Sequence, residues 1–503
     1  MALARAWSVA LLGVAGTTVE VEADIGAGRP AVHLVGLPDT ALNEAKDRVR
    51  SALRNSGHDW PNHCVTIGLS PAALPKMGSG YDLGIACALL AAVGAVPSEP
   101  LTGTVLLGEL GLDGRLRPVR GVLPGLLAAQ RAGLSAAVVP VANLAEAALV
   151  PGMRVLGAAR LAEVVAWLRG LAELEPPPDS EPPPPATPPD LADVLGQPEA
   201  RWAVEVAAAG GHHLLLVGPP GTGKTMLAAR LPGLLPPLTP EHSLEVTAVH
   251  SVAGTLSTEA PLVTVPPFIA PHYSASVAAL IGGGVGLARP GAISQAHRGI
   301  LFLDEACEFG QTRLESLRTA VEEGEIRLAR RDGVVTYPAL FQLVLATNPC
   351  PCAPPREVDC VCTPQARRRY FARLSGPLLD RVDLRVRMRP ITAMAGHDLR
   401  RPESTEEVRA RVEKARLRAA QRWAEHGWST NAEAPGPVLR REFALPRSAT
   451  RLLDRALDTG AVTARGADRC TRVAWTLADL ADIGRPDADH VAAALEFRDR
   501  RPL

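Results

Sequence analysis

The stretch His212 to Leu227, HHLLLVGPPGTGKTML, decides how the chain is read. Leu214 to Val217 is a short apolar run stopped by a glycine, the pattern of a buried strand. Gly218-Pro219-Pro220-Gly221-Thr222-Gly223-Lys224-Thr225 then fits G-x-x-x-x-G-K-[ST]. Glycines let such a loop wrap a phosphate with its backbone N–H groups turned inward. In that pattern Lys224 reaches the β- and γ-phosphates and the Thr225 hydroxyl ligates Mg²⁺. A helix expected over 226–231 aims its positive end at the same anion. A plain Gly/Pro turn would not need this strand–loop–helix context.

Three more constellations lie downstream. Gly299-Ile300-Leu301-Phe302-Leu303-Asp304-Glu305 is an apolar strand ending in two acids. After a phosphate loop this reads as a Walker B strand, with Asp304 in the Mg²⁺ shell and Glu305 polarising the attacking water. Leu343 to Asn348 is another apolar strand, ending in an amide. Asn348 either orients the lytic water or caps a turn before Pro349. In Ser375 to Asp383, SGPLLDRVD, Arg381 follows a short helical turn. It either meets a neighbouring subunit's γ-phosphate or forms a surface salt bridge with Asp380 or Asp383.

Cys350, Cys352, Cys360 and Cys362 form CxC-x₇-CxC. Four thiolates this close suit a tetrahedral Zn²⁺ site, and free thiols on a loop fit the spacing equally well. Glu322 to Ala339, EEGEIRLARRDGVVTYPA, carries strand-like runs on either side of an Asp-Gly turn signal. Arg330 and Arg331 fall near its tip, where they either grip a polyanion or pair with Glu322, Glu323 or Glu325.

Composition bounds these readings. A chain of 503 residues with 47% hydrophobic content supports two to four cores. Net charge is zero, so any nucleic-acid surface must be local. Eight cysteines in this length do not make a disulfide scaffold. No apolar run approaches the ~20 residues of a membrane span. Residues 7–16, WSVALLGVAG, have the look of a signal-peptide core, but TVEVEADI at 18–25 continues in strand alternation. We therefore expect a first strand there and a cytoplasmic protein.

The order of elements gives four segments. Residues 1–172 alternate strand-like runs (19–25, 31–36, 64–69, 104–109, 136–140) with helical ones (40–55, 82–93, 123–132, 161–168), as in a compact α/β or α+β domain. Residues 173–190 form a linker; EPPPDSEPPPPATPP at 175–189 carries nine prolines and spans roughly 45 Å if extended. Residues 191–390 form a nucleotide domain of α/β type, a parallel sheet wound by helices. Residues 391–503 are helical, with candidates at 405–423, 448–458, 467–480 and 486–497.

Taken in order, GPPGTGKT, APHYSASVAALIGGG (270–284), ARPGAISQAHRGILFLDE (288–305), ATNPCPC (346–352) and LSGPLLDRVD (374–383) resemble the magnesium-chelatase-like AAA+ ATPases. Within them the chain is most similar to the YifB/ComM group of bacterial proteins. VEADIGAGRPAVHLVGLPD (21–39) resembles the same group and is absent from the chelatase motor subunits. The resemblance implies ATP and Mg²⁺, Lys224 and Thr225 as Walker A, Asp304 and Glu305 as Walker B, and Asn348 as sensor 1. It implies Arg381 as a trans arginine finger and Arg465, in a helical lid, as sensor 2, with Arg469 and Arg472 on the same helical face. It also implies a homo-hexameric ring acting on single-stranded or branched DNA, in branch migration during recombination of incoming DNA. The alternatives are a chelatase-type ATPase that remodels a protein partner, and a protease.

The protease reading comes from residues 1–172, which resemble the Lon protease domain (ribosomal S5 domain 2-like). There Gly80 stands in place of the nucleophilic serine and Leu123 in place of the catalytic lysine. Ser79, one position off, has no placed base. A Ser–Lys pair needs both partners, so the resemblance implies a catalytically dead domain. Three departures from the family are the short loop between the CxC pairs, Ala292 where an acid is expected, and Trp475 where an arginine is common.

Overall fold

The computed structural model describes residues 2–37, 39–178, 188–284, 288–330, 333–390 and 402–498. At the N-terminus, Ala2–Leu12 and Ala15–Gly26 form a long antiparallel hairpin, with Ala2 opposite Ile25 and Leu12 opposite Ala15. Val19, Val21 and Ala23 face the core while Glu20 and Glu22 alternate with them on the other face. The apolar run at 7–16 is thus the end of one strand, a turn at Gly13–Val14 and the start of the next, and the first strand begins earlier than expected, at Ala2.

These two strands are the middle of a seven-stranded mixed sheet, in the order Ala31–Val35, Cys64–Ser70, Ala15–Gly26, Ala2–Leu12, Thr104–Leu106, Ala136–Pro140 and Arg154–Ala158. Helix Asp82–Ala92 is apolar all round and every residue of it is buried. Its one charge, Asp82, is gripped by Arg48 through two hydrogen bonds of 2.8 and 3.0 Å. Two elements are shorter than expected. The 40–55 helix breaks into Thr40–Asn43 and Ala45–Asn55, and the 104–109 strand stops at Leu106.

The second sheet is five-stranded and wholly parallel, in the order Phe268–Ile269, Ile300–Leu303, Gln342–Thr347, Leu214–Val217 and Leu384–Arg387. Its three central strands are buried at every residue, as continuous apolar runs covered on both faces must be. The helix after the phosphate loop starts two residues earlier than expected. It spans Lys224–Ala228 because Gly223, at φ +86°, already turns the chain. It ends short, and Leu231–Leu234 restarts with Pro232, which has no N–H to continue the first helix.

The C-terminal helices are Thr405–Trp423, Gly436–Arg441, Arg447–Asp458, Ala464–Leu480 and Ala488–Glu496. They share one core with the sheet: Val408, Val412, Val473 and Ala474 pack in the same cluster as Val204, Ala207, Leu216 and Val344. Their apolar faces are therefore spent behind the sheet, against Pro198–Gly210. Trp475 is buried beside Trp423 and Phe443, with the Arg422 guanidinium 4.3 Å over its ring.

The two sheets are joined through helix Pro240–Ala253. Its Ala248 belongs to a core with Val122, Leu123 and Leu126, and its Ser251 hydroxyl donates to buried Glu146. The N-terminal hairpin also reaches the nucleotide domain. A Cβ on Gly13 would sit 2.7 Å from the Thr336 carbonyl oxygen. Of the Pro-rich spacer, Glu175 still pairs with Gly157 through two backbone hydrogen bonds, and 179–187 lie outside the described residues.

Candidate nucleotide site

The phosphate loop leaves the strand Leu214–Val217 at the C-terminal edge of the parallel sheet, where the adjacent strand Gln342–Thr347 runs into Asn348 and the next strand over, Ile300–Leu303, into Asp304. Together these ends line a cavity of about 440 Å³ formed by Gly221, Gly223, Lys224, Thr225, Asp304, Glu305 and Asn348, with Pro220, Met226 and Thr347. Lys224 is almost buried, and its ammonium donates to the Gly218 and Pro219 carbonyls at 2.7 and 2.9 Å and to Asn348 Oδ1 at 3.2 Å. Burial pulls its pKa down, while Asp304 and Glu305 push back. The Thr225 hydroxyl donates to Asp304 Oδ2 at 2.6 Å.

Glu305 adopts a left-handed backbone, φ +51°, unusual for a residue with a side chain, and its carboxylate is exposed at the mouth. Gly218 is required where it stands, since a Cβ would meet the Met388 carbonyl oxygen at 2.7 Å and Thr222 Oγ1 at 3.0 Å. Gln197, which sequence reasoning missed, ties the loop down by donating to the Thr222 and Arg389 carbonyls at 3.4 and 2.6 Å. It lies outside any motif, so only the fold brings it there.

The expected arginines are elsewhere. Arg381 and Arg465 line a second cavity, about 580 Å³, together with Arg469, Arg472, Asp383 and Glu322. No residue lines both cavities. Arg381 is only 5% exposed. It pairs with Glu322, on helix Gln311–Glu323, and donates to the Pro377 carbonyl. Asp383, offered above as a partner, is instead held by Arg469 at 2.7 Å. Burial, then the neighbouring arginines 318, 469 and 465, depress the Arg381 pKa.

The four cysteines converge. Their sulfurs all lie within 4.8 Å of one another, with Cys350–Cys352, Cys352–Cys360 and Cys350–Cys360 at 3.4, 3.5 and 3.4 Å. A tetrahedral zinc with Zn–S bonds of about 2.3 Å needs sulfurs about 3.8 Å apart, so this donor set fits the metal. The hairpin forms as Glu325–Arg330 and Gly333–Pro338, with Arg330 opposite Gly333. Arg331 and the Arg330 side chain lie outside the described residues. Two of the three acids that could neutralise them are engaged elsewhere, Glu325 by Arg327 and Glu322 by Arg381.

In the N-terminal domain Leu123 is fully buried, and nothing at Gly80 can serve as a nucleophile. Ser79, expected to stand without a base, does have a partner: its hydroxyl donates to Glu109. A carboxylate alone lacks the imidazole or amine that activates a serine. Lys76 is fully buried and spends its ammonium on the Pro71 carbonyl. The cleft around Ser79 is also lined by Arg289 and Tyr337 of the nucleotide domain.

A parallel sheet with a phosphate loop, an Asp-Glu pair and a polar amide on adjacent strand ends defines the class of P-loop ATPases. The comparisons narrow it. Residues 190–395 match the family "Magnesium chelatase, subunit ChlI", residues 402–498 match "Magnesium chelatase, subunit ChlI C-terminal", and residues 21–143 match "Subunit ChlI of Mg-chelatase", against the expectation that the segment 21–39 sets the chain apart from the chelatase subunits. The chain is 60% identical over 498 residues to an uncharacterized protein of Mycobacterium tuberculosis, covering 99% of each chain. It is 40% identical over 499 residues to the uncharacterized protein YifB of Escherichia coli, covering 99% of this chain and 97% of that one. Competence protein ComM of Haemophilus influenzae is 37% identical over 505 residues, with 99% and 98% covered. A shorter match, 32% over 145 residues, links 27% of this chain to 18% of Lon protease from Salinispora arenicola. The chain belongs to the YifB/ComM family of magnesium-chelatase-like AAA+ ATPases. Among the described residues no helix is long and apolar enough to cross a membrane.

Proposed function

We propose that this chain is an ATP-driven homo-hexameric ring motor that acts on single-stranded or branched DNA, as a branch-migration or helicase factor. The observation that carries the ring is the separation of Lys224, Asp304 and Glu305 from Arg381 and Arg465. A chain with a phosphate site in one cavity and its cationic complement in another completes hydrolysis only against a second copy. DNA is supported by the likeness to a competence protein and by the hairpin bearing Arg330 and Arg331.

In this reading Lys224 and the loop N–H groups hold the ATP phosphates, and Thr225 and Asp304 hold Mg²⁺, which neutralises phosphate charge. Glu305 polarises the lytic water, Asn348 orients it, and the neighbour's Arg381 and Arg465 stabilise charge on the transferring phosphoryl group. Cys350, Cys352, Cys360 and Cys362 hold one zinc. The N-terminal domain is a proteolytically inactive collar.

The three chelatase-subunit matches favour a second reading, an ATPase that remodels a protein partner. ATPase rate with and without forked DNA separates the two. The motor reading expects several-fold stimulation; an active ATPase indifferent to DNA rejects it. Casein should remain uncut with any nucleotide, and cleavage lost in Ser79→Ala would overturn the inactive collar.

A further inference from the structure

We propose that the four-cysteine cluster is an oxidation-sensitive clasp on ATP hydrolysis: peroxide attack on its thiolates releases the metal and lets the Asn348 amide drift from its working position. The proposal rests on two readings given above, zinc at the cluster and Asn348 as the water-orienting residue.

The path between them is short. Strand Gln342–Thr347 runs directly into Asn348, Pro349 and Cys350. Proline fixes its own φ, so the step from amide to thiol is stiff. Asn348 Oδ1 meets Lys224 Nζ at 3.2 Å, and Cys350, 2% exposed, faces Cys352 and Cys360. The second pair of cysteines leads into Thr363, whose hydroxyl caps helix Pro364–Phe371. Tyr370 of that helix lies 3.5 Å from the Thr347 hydroxyl, which itself donates to Cys307 Sγ at 3.0 Å. Arg373, just beyond, bonds Glu308 at 2.9 Å, three residues past Glu305. Both ends of the segment 350–363 are therefore fastened to the flanks of the hydrolytic residues.

Among the described residues the only other side-chain tie inside that segment is a local one, Arg356 to Asp359 at 2.8 and 3.0 Å, on the exposed surface. Among the described residues, 353–361 contribute no side chain to a buried core, and Val358 and Val361 are 85% and 87% exposed. A loop without a core depends on its cross-link for order. The cross-link is also accessible: Cys352 is exposed, and Cys360 and Cys362 are half-buried.

The chemistry balances with peroxide as the oxidant. The Cys352 thiolate attacks the O–O bond, forming S–O and, with one proton, releasing water. The Cys360 thiolate, 3.5 Å away, attacks that sulfur, forms the disulfide and expels hydroxide, which takes a second proton to become water. Two thiolates lose two electrons and one peroxide gains them. The two remaining thiolates cannot fill a tetrahedral zinc site, so the metal leaves. A dithiol reductant reverses the step.

The test uses the full chain carrying Cys64→Ser, which removes the half-buried thiol outside the cluster. We expect one zinc per chain as purified. On titration with hydrogen peroxide, metal release, loss of titratable thiols and loss of turnover should run in parallel. Because misplacing a reacting group by ~1 Å can cost ~10²-fold, turnover should fall roughly tenfold or more. Affinity for a fluorescent ATP analogue should stay within about twofold, since Lys224 and the loop are untouched. Dithiothreitol with zinc should restore turnover, and Asn348→Ala protein should lose little further activity on oxidation. Metal release with unchanged turnover overturns the clasp while leaving the zinc reading standing. Protein that never holds zinc, with all four thiols free, overturns both.

Discussion

The cavities at Lys224 and at Arg381 both carry carboxylates but divide the phosphate loop from the arginines. The first has a phosphate loop, two carboxylates and an amide, and its lining contains no arginine. The second gathers four arginines, and no phosphate loop reaches it. In the first, Lys224 is held by carbonyls and an amide whose places phosphate oxygens would take. In the second, Arg381 is held by Glu322, an acid of its own chain. In the proposed ring, a site divided in this way would be silent in an isolated subunit and completed by assembly.

The largest test of this division addresses the first cavity. Glu305→Gln should keep ATP binding and lose roughly 10²–10⁴-fold in turnover, whereas Lys224→Ala should lose binding itself. Parental turnover by Glu305→Gln would remove the base assignment. Next comes the second cavity. Arg381→Ala should lose ~10³-fold with nucleotide affinity retained, and Arg465→Ala roughly 10–100-fold, the worth of one charge-assisted hydrogen bond. Mixing Arg381→Ala with Glu305→Gln protein should rescue turnover, because a mixed ring contains sites with both groups intact. If subunits demonstrably exchange and no rescue follows, the two cavities do not meet.

Smaller effects sharpen the contrast. Glu322→Gln should release Arg381 and raise basal turnover by up to about fivefold, the ceiling for a partly exposed ion pair. A fall would show that Glu322 positions the arginine rather than restraining it. The smallest effect concerns His213, which lines the arginine cavity and accepts the Leu343 N–H at 3.0 Å through Nδ1. Desolvation holds its pKa down to about 4. The folded state thus binds fewer protons than the unfolded state between about pH 4 and 6.5. Stability should be intact above that window and fall by roughly 1–3 kcal/mol across it. Urea midpoints at pH 7 and pH 5 measure this; His213→Gln should shrink the difference without abolishing it, because burial also holds His297 down to about 4.

The first cavity was legible because its chemistry is written in short contiguous runs. GPPGTGKT, ILFLDE and LVLATN each end a strand, and a parallel sheet brings such ends to one edge by its topology. The second was legible only as separate residues. Arg381 and Arg465 were singled out, but nothing near either names Glu322, which arrives through the packing of helix Gln311–Glu323. Gln197 was missed for the same reason. The cysteine cluster fell between these cases: spacing gave the four residues, and only the chain's path shows the sulfurs converging. Helix ends shifted where a glycine or proline overrode the apolar period, as at Gly223 and Pro232.

The core that the sheet shares with the C-terminal helices has a consequence for biosynthesis. Every residue of the N-terminal domain's main core is made by Leu174, so that unit can close early. The nucleotide domain's core runs from Leu191 to Phe497. At ~5–20 residues per second, the roughly 300 residues between them take ~15–60 s to emerge. Throughout that interval Leu214 to Val217 and Pro198–Gly210 wait on the ribosome without the helices that will cover them.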